Sequence, residues 1–184
     1  MKRIFLTLAI VSTVFIIVAF VLGWEIGDPR SVASGTRRLL SYHALISVAA
    51  LIFAALVHSV LLTYFMGTGR WMEETQSAYK LDVQWNDESR HLKYRTIPLM
   101  VVCLVLLIVN IPLGALAVDR ENFSLPGGFE LSPSRVHLVF ACLTIVVNLL
   151  VNALEYRAIA RNSLLVGEVM QNVRRIRQER GLPT

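Results

Sequence analysis

The chain has little of what most enzymes and secreted proteins rely on. Its 184 residues include two cysteines. Cys103 and Cys142 lie in separate apolar stretches, toward opposite faces and without a CxxC neighbour. That placement excludes a disulfide framework and a thiolate metal knuckle, leaving two small packing residues. There is no HExxH, no GxSxG and no Ser-His-Asp set that one helix face could carry. The segment Gly67-Thr68-Gly69-Arg70-Trp71 has too few glycines, and no preceding strand, to cradle a phosphate. Acidic residues are also scarce, 13 against 18 Lys and Arg, for a formal net charge of +5.

Charge is absent altogether from four runs: Phe5 to Trp24, Leu39 to Met66, Ile97 to Val118 and Val136 to Leu154. Each is near or above the ~18 residues that suggest a helix crossing the ~30 Å hydrocarbon core of a bilayer. With 55% apolar residues and a mean hydropathy of +0.58, the composition is far from soluble usage. The expected fold is an all-α integral membrane protein. It is a single four-transmembrane-helix bundle over residues 1–184, with spans at roughly 4–24, 39–66, 97–118 and 134–157. The first run follows Met1-Lys2-Arg3 in the manner of a signal peptide, but its length exceeds the ~7–15 residues of a cleaved apolar region. It therefore reads as a retained span.

Four spans put both termini on the side of segment 67–96. That side carries Lys2, Arg3, five basic residues of 67–96 and six of the tail, thirteen of the eighteen. Arg30, Arg37, Arg38, Arg120 and Arg135 face the other way. The bias predicts a bacterial-type cytoplasmic membrane with both termini cytoplasmic. The net positive charge suits anionic headgroups and is no argument for nucleic acid.

Segment 67–96 reads as a cytoplasmic loop. Span 2 is expected to end at Gly67–Trp71, with a short interfacial helix over Met72–Lys80 and a helix start at Asn86-Asp87-Glu88. Pro98 sits in the first turn of span 3, while Pro112 is expected to kink it or free a carbonyl beside Asn110. Outside, Leu125-Pro126-Gly127-Gly128 marks a turn, and Ser132-Pro133 opens span 4 as N-cap and first helical residue. Span 4 continues without a breaker before Gly167 into a cytoplasmic amphipathic C-terminal helix, 158–180. There Val166, Val169, Met170, Val173 and Ile176 recur at helical spacing. The tail lies on the membrane, covers segment 67–96 or docks a partner. Other membrane or cytoplasmic subunits are the expected partners of these two surfaces.

A weak repeat relates the halves. Leu22-Gly23 followed by Asp28 matches Leu113-Gly114 followed by Asp119. His43 then matches His137, and Val57-His58 matches Val151-Asn152.

Polar side chains within such spans are costly and so point to function. No apolar run carries Asp or Glu, which counts against a carboxylate proton relay or cation pathway. If span 2 centres near Leu51 and span 4 near Ile145, His43 and His137 both lie ~12 Å outward of the midplane. His58 and Asn152 match at an inner depth, as a possible polar pair or as interhelical glue. Two imidazoles across a bundle meet the axial requirement of a low-spin haem, with neutral nitrogens on the iron. Arg37, Arg38 and Arg135 lie at the same end and could hold the propionates. His91, among Arg90, Lys93 and Arg95, reads as a solvated residue.

In this layout of His43 and His137 the chain resembles four-helix membrane b-type cytochromes, in which paired histidines on facing helices bind haem. It departs from them at the inner level, where asparagine is not a usual axial ligand. The expected function is thus a subunit binding one haem b, exchanging electrons with a quinone or a partner protein. The competing expectation is a non-catalytic membrane scaffold or accessory subunit of a larger complex, with its histidines used for packing.

Overall fold

In the computed structural model of the protein, which describes residues 1–31, 33–119, 123–124 and 130–183, each charge-free run lies within one long helix. The helices are α1 (Lys2–Glu25), α2 (Ser34–Tyr79), α3 (Gln84–Asp119) and α4 (Pro133–Glu179). All four are long and apolar enough to cross a membrane. Two short strands, β1 (Phe123–Ser124) and β2 (Glu130–Leu131), pair antiparallel between α3 and α4. Arg120 and the Leu125–Gly128 turn lie outside the described residues.

Consecutive helices pack as antiparallel hairpins, α1 on α2 and α3 on α4. Contacts of α2 with α3 and of α1 with α4 close the ring, and α2 also touches α4 across it. Near the middle, Ile16, Ala50, Ala54, Cys103, Leu107 and Val151 form one apolar cluster. Further along, Phe5, Ala9, Val57, Leu61, Phe65, Ala158 and Ile159 form a second. The small residues at these positions let the backbones approach closely. The outward faces remain apolar as well. Leu45 is 66% exposed, Ile52 61% and Leu150 60%. Only 17–28% of each helix's most apolar stretch is buried within the chain.

The structure corrects the expectation for segment 67–96. It is not a loop, because α2 runs on through Gly67 and Gly69 to Tyr79. The turn falls at Lys80, whose φ of 55° is left-handed and whose N–H reaches Gln76 O. Two helical glycines cost about 1 kcal/mol each relative to alanine, and tertiary packing outweighs that. Met72, Leu165 and Val169 are buried together, with Trp71, Trp85, Leu92 and Val173 around them. The tail of α4 therefore covers segment 67–96 instead of lying free, and α2, α3 and α4 extend together past the apolar section. At ~1.5 Å per residue, a helix of 46 residues is roughly twice as long as a ~30 Å hydrocarbon core is thick.

Polar bonds knit this extension. Asn162 accepts from Ser89 Oγ at 2.6 Å and donates to Thr68 Oγ1 at 2.9 Å, joining three helices. Trp85 Nε1 donates to Glu168 Oε2 at 2.9 Å. Arg161 grips Glu88 with two bonds, 2.6 and 2.8 Å. That guanidinium holds the Glu88 carboxyl below its ordinary value of 4.5. A depressed folded value means that the pair's stabilisation is present above 4.5 and is lost as pH falls below it, through the folded value. Because both side chains are about 40% exposed, solvent screens the pair and Arg161→Ala should lower stability only slightly. The difference between the unfolding curves of variant and parent should vanish in acid.

Pro112 lies inside α3, which is continuous across it. Asn110 donates to Leu106 O at 2.8 Å and to Thr144 Oγ1 at 2.7 Å, tying this part of α3 to α4.

Candidate functional site

His43 and His137 come from α2 and α4 and meet inside the bundle at the end opposite the chain termini. Their ring centroids are 6.0 Å apart and their planes 88° to one another. His43 Nδ1 donates to Ala19 O of α1 at 2.8 Å. This bond puts the ring proton on Nδ1 and leaves Nε2 as a free lone pair, the form in which imidazole ligates a metal. His137 has no such orienting bond, and its Nδ1 is buried without a partner.

Each ring rests on a glycine of its own hairpin. A Cβ added at Gly23 would lie 3.0 Å from His43 Cε1, and one at Gly114 would lie 3.4 Å from His137 Cε1. The Leu-Gly pairs that matched in sequence thus carry the same contact in both halves, glycine on the odd helix against histidine on the even one. The two contacts differ in tightness, so substitution should separate them. Gly23→Ala must displace the His43 ring and should destabilise by about 1–3 kcal/mol despite its better helix propensity. Gly114→Ala meets an ordinary contact and should stay within about 1 kcal/mol of the parent, read by thermal unfolding in detergent.

The donor set fits a haem. Two imidazoles on one iron, at ~2 Å per bond, have centroids roughly 6 Å apart. Perpendicular ring planes are compatible with this, because each plane need only contain its own metal–nitrogen direction. Each glycine brings its backbone against the Cε1 edge of its ring. Arg37, Arg38 and Arg135 are exposed at the same end and make no ion pair with any described residue. No cluster of three or more His, Cys, Asp or Glu side chains suited to a metal ion occurs among the described residues.

The inner level differs from the expected His58–Asn152 pairing. His58 Nδ1 donates to Glu155 Oε1 at 2.8 Å, and both side chains are 1% exposed. Asn152 donates to Asn148 Oδ1 at 3.0 Å, and Asn148 donates to Cys103 Sγ at 3.4 Å. Glu155 is the residue that the sequence reading missed. It stands one position past the charge-free run of α4, so counting acids inside the runs overlooked it. The signal was the stripe Thr144, Asn148, Asn152, Glu155 and Asn162, whose three-, four- and seven-residue spacing marks one helix face. All five are buried. The buried face of α4 thus carries a carboxylate that the charge-free runs did not reveal. His91 is exposed, as a solvated residue should be.

No family model, curated protein or solved structure matches the chain.

Proposed function

We propose that the chain is an integral membrane subunit that binds one b-type haem between His43 and His137 and exchanges electrons with a quinone or a partner protein. The observation that carries this reading is the pair itself: two imidazoles from facing helices, centroids 6.0 Å apart, one with its proton fixed on Nδ1 by Ala19 O. Membrane insertion is supported by the apolar outward faces, which would be an aggregation liability in water. The excess of basic residues at the end bearing both termini supports a cytoplasmic location for that end.

A haem in this position supplies a one-electron couple. The chain's own residues do the rest. Ala19 O orients His43, Gly23 and Gly114 bring their backbones against the ring edges, and the apolar cluster beneath excludes water. Arg37, Arg38 and Arg135 supply cations for the carboxylates of the group. The test is stoichiometry. Protein purified from haem-replete cells should release one non-covalent haem per chain into acidic organic solvent, and the absence of extractable haem would end the proposal.

One feature supports a scaffold reading instead, namely the extension in which Thr68, Ser89 and Asn162 bond three helices together. Such a stalk presents a firm surface to a partner. Under that reading, substituting His43 and His137 leaves partner capture unchanged.

A further inference from the structure

Four buried side-chain atoms without a hydrogen-bond partner are contributed by three helices: Ser12 Oγ, His58 Nε2, Asn152 Oδ1 and Glu155 Oε2. Their neighbours belong to the two apolar clusters. Ser12 falls between Ala9 of one apolar cluster and Ile16 of the other, and Glu155 between Ala158 and Val151 of the same two clusters. His58 follows Val57. The polar layer formed by α1, α2 and α4 thus lies among the residues of the two apolar clusters. Buried polar atoms without partners are rare in folded proteins, and internal water bonded to two to four such groups is the common remedy.

The layer has an approach. A cleft of about 480 Å³ between α1 and α4 runs past Phe5, Ala9, Thr13 and Arg157 to Asn152. Its walls are mostly apolar and include the exposed Leu6, Ile10 and Val14, and its polar lining residues are Thr13, Asn152, Tyr156 and Arg157. The layer also holds two groups that bind protons, already joined at 2.8 Å through Nδ1 and Oε1. The groups facing the pair can be named for every helix. Helix α1 presents Ser12 and no titratable side chain, α3 presents the Cys103 thiol, and α4 presents Asn148 and Asn152. Tyr156 and Arg157 of α4 line the same cleft as Asn152.

We infer that the His58–Glu155 pair is a proton-binding site, reached by water through the α1–α4 cleft from the end of the bundle bearing the chain termini. In the proton-poor form, His58 carries one proton on Nδ1, directed at the Glu155 carboxylate, and the pair has a net charge of −1. A hydronium ion arriving through the cleft gives its proton to the Nε2 lone pair and leaves as water. The pair then has zero net charge, the better state for a buried site. The four unpartnered atoms are where the connecting waters bond. This site does not depend on a haem at His43 and His137.

The test uses the full-length protein in lipid films under buffer perfusion, read by infrared difference spectroscopy. Changing the buffer between about pH 5 and pH 9, which spans the range over which histidine and perturbed carboxyl groups titrate, should produce carboxylate and imidazole bands. Both sets should disappear in Glu155→Gln and His58→Gln. In D2O the bands should shift as fast as exposed groups exchange. Thr13→Leu, which fills the cleft and leaves the pair intact, should slow that shift about tenfold or more. If Glu155→Gln or His58→Gln does not fold, the Thr13→Leu exchange rate still decides the question. A parent protein with no pH-dependent band from the pair, or an exchange rate unchanged in Thr13→Leu, overturns the inference.

Discussion

His43→Ala is expected to leave the purified protein with less than about a tenth of the parent's haem, and His137→Ala is expected to do the same. Even outer partners of a metal ligand change affinity ~10–100-fold, and under the proposed reading these variants remove a ligand outright. The residues that stand against the two imidazoles, Gly23 and Gly114, have no side chain with which to replace a lost ring. His91→Ala should keep the full complement, because His91 is exposed on the extension of α3. Haem content by absorbance, with helicity by circular dichroism as the folding control, gives the comparison. Equal haem content in all three variants would mean that the pair is packing only.

The second large effect lies at the inner level. His58→Ala or Glu155→Ala alone should destabilise the bundle by about 3–5 kcal/mol, because each leaves its partner as an uncompensated buried polar or charged group. Removing both together should cost far less than the sum. In His58→Leu with Glu155→Met, similar volume is kept and no charge is left behind, and the change should be near neutral or stabilising. Unfolding in detergent of the parent, the two alanine singles and the alanine double closes the cycle, with the Leu–Met variant measured beside them. A double variant as unstable as the sum of the singles would show that the 2.8 Å contact contributes nothing by pairing.

How much of this was legible in the sequence follows from the length scale of each signal. Four charge-free runs are a signal some twenty residues long, and each runs within one helix. The helix ends were less legible. Gly67-Thr68-Gly69 has the local chemistry of a stop, yet Met72 is buried against Leu165 and Val169, about a hundred residues away in sequence. No local propensity reports such a contact, so α2 continues where its sequence suggests an end. Matching the depths of His43 and His137 needed only the helix rise and the repeat, and the structure brings the two rings to 6.0 Å. The His58 partner was misread because equal depth was applied to Asn152, while Glu155, one turn away on the same buried face, reaches the imidazole instead. The partner of a buried side chain depends on rotation about the helix axis as well as on depth, and the rotation was written in the polar stripe of α4.

The measurement that bears most directly on the proposed haem site is the reduced-minus-oxidised absorption spectrum of the full-length protein, purified in mild detergent from haem-replete cells. Two axial imidazoles on one iron predict the sharp Soret and α bands of a six-coordinate low-spin b-type haem, present in the parent and absent from His43→Ala and His137→Ala. A flat difference spectrum in the parent would contradict the account.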